Sequence, residues 1–201
     1  MNIRSQDILV VLKWLSSGWP GSFAALGKET GLSASEAHAA VQRARRAGLL
    51  QAGMEGPNRS ALAEFLIHGL PYVLAVRPGR RTRGMATSFA AAPLAEHYPA
   101  ANDDPDLPVW PDAEGDRYGV EIPPICRSAP LAARRDARLY EWLVLADALR
   151  GAGRARDSHG VLRFLVHGMP AFAPEGACCE RARSIAHARR RGKRIQPEKF
   201  R

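Results

Sequence analysis

Apolar positions recur at helical spacing in blocks separated by glycine- and proline-bearing breaks. Ile8, Val11, Leu12 and Leu15 fall on one face of a predicted helix over 5–16, with Ser5 placed to cap it. "SGWPGS" breaks that helix, and a short one follows over 22–28 with Phe23 and Leu26 inward. "ETGL" is a turn, where Gly31 is free to take a positive φ. Ser33 and Glu36 then have the S-x-x-E spacing of a capping box, which sets the start of a helix over 33–47. Ala37, Val41, Ala44 and Gly48 form its small apolar face. Ser35, Ala39, Gln42 and Arg46 lie opposite, flanked by His38 and Arg43. "LLQAG" begins a strand and "GMEGPN" has the residues of a loop tip, together a short hairpin.

Farther along, a helix is predicted from Arg59 to His68, ending at Gly69, and "YVLAV" reads as a strand. "RPGRRTRG" reads as a basic loop, and residues 84–108, rich in Ala, Pro and Asp, as mostly irregular. "LPVWPDAEGDRYGVEI" predicts a hairpin of two short strands around a Pro-Asp-x-x-Gly turn. "DARLYEWLVLADALRGAG" is a helix with Leu139, Trp142, Leu143 and Leu149 on one side and Gly151 as its stop. Beyond residue 153 the pattern weakens, and 180–201 reads as a basic tail that is disordered or helical only when bound. The sum is a mainly α protein with a small β component, built from an N-terminal unit (1–58), a mixed α/β extension (59–153) and a poorly patterned remainder (154–201).

Charge sharpens this picture. The formal net charge is +9 over 201 residues. Residues 180–201 carry nine arginines and lysines against two glutamates, so most of the excess is in the tail. A smaller cluster comprises Arg77, Arg80, Arg81 and Arg83. Such a balance favours polyanionic partners, and Arg, 25 of the 29 basic residues, binds phosphate and guanine in bidentate fashion. At 46% hydrophobic the chain has material for a core. No apolar run approaches the length of a membrane span, and the N-terminus lacks a signal-peptide cleavage pattern, so a cytoplasmic location is expected. Three cysteines, Cys126, Cys178 and Cys179, do not make a disulfide framework.

The order helix, helix, tight turn, capped helix, strand, loop, carried by "FAALGKETGLSASEAHAAVQRARRAGLL", resembles the MarR-like winged helix-turn-helix of bacterial transcriptional regulators. The resemblance covers about the first third of the chain. It implies a double-stranded DNA partner, a recognition helix over 33–47 in the major groove, a wing near 53–59 on the backbone, and a homodimer, with the first helix or the Trp142 helix as its interface. The residues placed to touch DNA are Ser33, Ser35, His38, Gln42, Arg43, Arg46, Asn58 and Arg59. Where many relatives have Ser-Arg, this chain has His38-Ala39, which removes one contact. A second reading is an antitoxin-like protein that sequesters a toxin partner through residues 60–150, anchored by Trp110, Tyr118 and Trp142.

Other motifs favour structural roles. "EFLIHGLP" (64–71) returns as "RFLVHGMP" (163–170). His68 and His167 could pair with cysteines at a metal, but no zinc spacing fits, and each copy reads better as a helix end with His in the last turn, Gly as left-handed cap and Pro as stop. Asp103, Asp104 and Asp106 read as a solvent-facing turn rather than a Mg²⁺ site, and Cys126 as a packed, inert thiol. The chain has no P-loop, dinucleotide fingerprint or nucleophile elbow; no catalytic function, cofactor or metal is expected. A pocket around Asp103, His97 or Cys126 would favour an enzyme instead.

Overall fold

The computed structural model describes residues 3–53, 55–97 and 105–151. Asp103, Asp104, His167, Cys178, Cys179 and the basic tail lie outside the described residues.

Helix α1, Ser5–Ser17, is capped from an unexpected position. Arg4 is the N-cap and Ser5 the first helical residue, while the Asp7 carboxylate accepts the Arg4 backbone N–H at 2.9 Å. Ile8 through Leu12 are fully buried, so the middle of α1 is buried all round rather than on one face. The cause is tertiary: α3 packs on α1, and so does the last helix of the described chain. Helix α2, Phe23–Thr30, starts at Ser22, whose hydroxyl accepts the Ala25 N–H at 3.1 Å. It ends at Gly31, left-handed at φ +71°. Helix α3, Ala34–Arg46, has the expected capping box: Ser33 Oγ accepts the Glu36 N–H at 3.2 Å, and Glu36 returns the bond to the Ser33 N–H at 2.8 Å.

A minimal hairpin follows α3. Leu50 and Pro57 form an antiparallel bridge, flanked by Gln51 N–H to Gly56 O and Asn58 N–H to Leu49 O, both 2.9 Å. The predicted helix over 59–68 does not stop at Gly69. It runs as α4 (Arg59–Glu64), a π-helical turn (Phe65–Gly69) and α5 (Leu70–Val73). Gly69 has φ −102°, so it is not the left-handed cap the motif suggested. Pro71 has no N–H and its ring crowds the carbonyl four residues back. The wider π turn, closed by Leu70 N–H to Phe65 O, carries the helix past that obstacle. Consequently Tyr72 and Val73 are helical, and the strand predicted from "YVLAV" does not form.

The sheet contains three strands: β1 (Arg81–Ala86), β2 (Pro108–Pro111) and β3 (Arg117–Glu121). β1 lies in the segment expected to be a basic loop and in the start of the irregular region; alternation of Arg and Thr hides its strand character. The predicted hairpin between β2 and β3 is also corrected. Its Asp112–Gly115 turn is present, but β2 and β3 run parallel and each pairs antiparallel with β1, closing a small barrel. β1 serves both: Arg81–Gly84 pair with β3 and Gly84–Ala86 with β2. At the crossing a Cβ on Gly84 would lie 1.9 Å from the Trp110 carbonyl oxygen, so only glycine fits there.

Helix α6, Ala129–Arg135, which periodicity did not reveal, leads into α7, Ala137–Gly151. Asp136 between them accepts the Leu139 N–H at 3.1 Å and so caps α7. Trp142 through Arg150 are all buried, so α7, like α1, is a central helix rather than an amphipathic one. It holds the sheet through a buried polar knot. Asp147 accepts from Thr87 Oγ1 at 2.8 Å, from Trp110 Nε1, and from Arg150 Nε at 3.1 Å and Nη2. Burial pushes the Asp147 carboxyl up from its ordinary value, and these donors, one cationic, offset that cost. Buried residues of α1, α3, α7, the helix over 59–73 and Trp110 form one continuous cluster. Among the described residues no helix is long and apolar enough to cross a membrane.

Candidate nucleic-acid interface

Packing decides which residues of α3 face outward. Ala37, Ala40, Val41 and Ala44 are fully buried against α1 and α2. Their small side chains let the helices approach closely, and the strip opposite is left accessible. Ser33, Ser35, His38 and Arg46 are exposed, and Gln42 is half-buried. Along this strip Gln42 Nε2 lies 3.4 Å from His38 Nε2, and Arg46 Nε donates to the Gln42 carbonyl at 3.2 Å. Glu36, on the first turn, is held below its ordinary value by the Ser33 hydroxyl and backbone N–H. A carboxylate at a helix N-terminus stabilises the helix; beside a nucleic-acid phosphate it would instead repel.

Arg43 does not join this strip. Its guanidinium turns inward onto Asp7, with Nε at 3.0 and 2.9 Å from the two carboxylate oxygens and Nη2 at 2.6 Å from Oδ1. The Asp7 side chain is fully buried and that of Arg43 only 16% exposed. The bonds to Asp7 hold the guanidinium above its ordinary pKa. Sequence periodicity sets Arg43 on the flank of the polar face; only the partner on α1, 36 residues earlier, determines that it points in. The pair therefore fixes the angle of α3 on α1. Asn58 is likewise engaged, accepting the Ala61 N–H at 3.2 Å as the cap of α4, whereas Arg59 is exposed.

Three contacts that periodicity does not reveal hold the strip in place. The first is a string of aromatic rings running from α1 through the "SGWPGS" break to α3. Trp14 meets Trp19 at 4.7 Å between centroids, Trp19 meets Phe23 at 5.1 Å, and Phe23 meets His38 edge-on at 4.7 Å. It orients the His38 ring from below. The second is Arg45, which donates Nη2 to the Gly53 carbonyl and ties the end of α3 to the hairpin tip. The third is α6. At Gly31 a Cβ would lie 2.9 Å from Ser128 Cβ, and Arg135 donates to the Lys28 carbonyl, so α6 buttresses the turn between α2 and α3.

The remaining candidates lie elsewhere. His68 is exposed, 3.7 Å from Glu64. Asp106 is exposed beside Arg81 at 3.8 Å. His97 ends a 3-10 turn, Ala95–His97. Burial pushes the Cys126 thiol up, against the hydrogen bond it shares with Ser128, a shift opposite to the one that activates a thiol. Among the described residues no cluster of three or more His, Cys, Asp and Glu side chains has the arrangement to hold a metal ion. Trp110 and Trp142, expected as interface anchors, are 0% and 4% exposed; only Tyr118 of that trio faces solvent. The first helix and the Trp142 helix are likewise core elements, not a free dimerisation surface, because each is covered on several sides within one chain.

No family model, curated protein or solved structure matches the chain.

Proposed function

We propose that this protein binds double-stranded DNA sequence-specifically and acts as a transcriptional regulator, with α3 entering the major groove. One observation carries this reading. The accessible strip Ser35, His38, Gln42 and Arg46 lies on a helix whose opposite face is sealed into the core, and a hairpin over 50–57 follows it directly. Gln and Arg pair with adenine and guanine edges, and His and Ser reach bases or phosphates. The three helices and hairpin follow the order of a winged helix-turn-helix, here built on a larger single core. The exposed Arg59 and the loop before it supply backbone contacts. Ser33 and Asn58 act as caps that hold the helix ends, and Arg43 acts through the angle of α3.

The role is one of binding rather than catalysis, and a homodimer would need a surface other than α1 or α7. The antitoxin-like alternative loses support, because two of its three anchors are inside the core.

The test is binding of labelled promoter DNA from the protein's own gene at two salt concentrations, with wild type and a Gln42→Ala/Arg46→Ala variant. Specific binding lost in the variant supports the reading. Binding that is absent, or nonspecific and untouched by the variant, refutes it.

A further inference from the structure

We propose that the outer face of β1 and β3 is a second nucleic-acid surface, one that takes single strands by stacking unpaired bases on Tyr118 and pairing phosphates with Arg81 and Arg83. The register builds it. Arg83 pairs directly with Tyr118 and Arg81 with Val120, and cross-strand partners share a face, so these side chains stand together on one side. The alternate positions, Thr82 with Gly119 and Gly84 with Arg117, face the other side, where the backbones at Gly84 and Gly119 are buried and the barrel closes. The Tyr118 ring is therefore presented outward, 60% exposed, with the Arg81 guanidinium 5.8 Å from its centroid. A ring left this open, beside cations and on a sheet rather than in a loop, is a platform on which another flat ring can stack.

Charge selects that partner. Residues 77–83 carry four arginines and no acid, and Arg80 flanks β1 where its carbonyl pairs with Glu121. Arg83 donates Nε to the Gly115 carbonyl at 2.6 Å and Arg81 donates to the Pro105 carbonyl, and each guanidinium carries further N–H donors that can meet phosphate. Asp106, 3.8 Å from Arg81, makes an exposed pair with it. Exposed pairs of this kind are worth little, so phosphate can replace the carboxylate. A polyanion whose flat rings are free to stack is a single-stranded nucleic acid; in a duplex the base faces are already occupied by one another. The surface also belongs to different packing from α3. The sheet reaches the core through the turn after β1 and α7, whereas α3 packs on α1 and α2. The inference therefore stands or falls apart from the duplex-reading role.

The test is fluorescence anisotropy of the full chain with labelled oligo(dT), oligo(U) and a mixed-sequence duplex, each over a range of salt. Tyr118→Ala should weaken single-strand binding about tenfold, the worth of one stacked base, while Tyr118→Phe retains it and duplex binding is unchanged. Arg81→Ala/Arg83→Ala should flatten the slope of log K against log salt for the single strand by about 1.4, two phosphates' worth. Binding of both oligonucleotides, or of only one, supports the surface and identifies its strand as DNA, RNA or either. Absence of single-strand binding by wild type overturns the proposal. So does a Tyr118→Ala variant that binds like wild type, or one that loses duplex and single-strand affinity equally. Gln42→Ala/Arg46→Ala serves as the separate control, expected to affect the duplex alone.

Discussion

Removing the guanidinium of Arg43 tests whether this residue belongs to the scaffold or to the exposed strip of α3. Asp7 has no exposed side-chain surface, and Arg43 supplies three of the hydrogen bonds to its carboxylate, at 2.6, 2.9 and 3.0 Å. The remaining bond from the Arg4 backbone N–H does not carry charge. Arg43→Met keeps the aliphatic stem and leaves a buried carboxylate without its cation. Breaking a buried pair from one side costs ~3–5 kcal/mol, against ~0–1 kcal/mol for a surface bridge. For a chain of this size that lowers Tm by about 6–20 °C. Urea unfolding followed by far-ultraviolet circular dichroism measures it. Asp7→Asn/Arg43→Met should regain part of the loss, because the buried charge is gone, giving a coupling energy of ~1.5 kcal/mol or more. A single-variant cost below ~1 kcal/mol, or strict additivity, would refute the reasoning and return Arg43 to the solvent-facing side.

Other consequences follow from the same packing. Lys13, 5% exposed, joins α1 to Asp136 at 2.8 Å and to Glu29 at 2.9 Å. Against burial, which opposes it, the bond from Lys13 and those from the Leu139 N–H and Ser16 hold Asp136 below its ordinary value. Its contribution is therefore complete above the unfolded value near ~3.9 and is lost as pH falls through the lower folded value. Urea midpoints of wild type should drop more steeply below pH 4 than those of Asp136→Asn; parallel curves would contradict this. Lys13 behaves in the opposite sense. Against burial, its bonds to Asp136 and Glu29 raise its pKa, so its stabilisation persists below the unfolded value near ~10.4 and fades as pH rises through the folded value. Gly31→Ala should cost ~2 kcal/mol, from the left-handed backbone and the 2.9 Å approach to Ser128 Cβ, with Ser128→Gly relieving only the second part in denaturant titrations. In a Cys178→Ser/Cys179→Ser background, Cys126 should react with a disulfide reagent at pH 8 more slowly than a free thiol until the chain is unfolded; a rate equal to or above that of the free thiol would contradict this.

Local chemistry was legible in the sequence wherever a few neighbouring residues decide the outcome. The capping box of Ser33 and Glu36, the left-handed Gly31, the short α2, the hairpin after α3 and the long α7 all follow from spacing and turn residues within about ten positions. The accessible strip of α3 follows for the same reason, since a helix face is set by a period of 3.6 residues. What the sequence did not disclose is decided by partners far along the chain. A buried acid on α1 turns Arg43 inward, and Asp136 draws Lys13 into the core from 123 residues away. β1 is not legible locally because a strand that opens Arg-Thr-Arg-Gly has no apolar alternation; it exists because β2 and β3 offer it two edges. The π turn at Phe65–Gly69 follows from accommodating Pro71 while Leu62, Leu66 and Leu70 remain buried. Sequence by itself thus determined the first three helices, the hairpin after them, α7 and the polar face of α3. Tertiary structure alone decided which charges are structural, which aromatics are hidden and which single tyrosine of the sheet is offered to solvent, because burial is a property of the assembled layers and not of any one helix or strand.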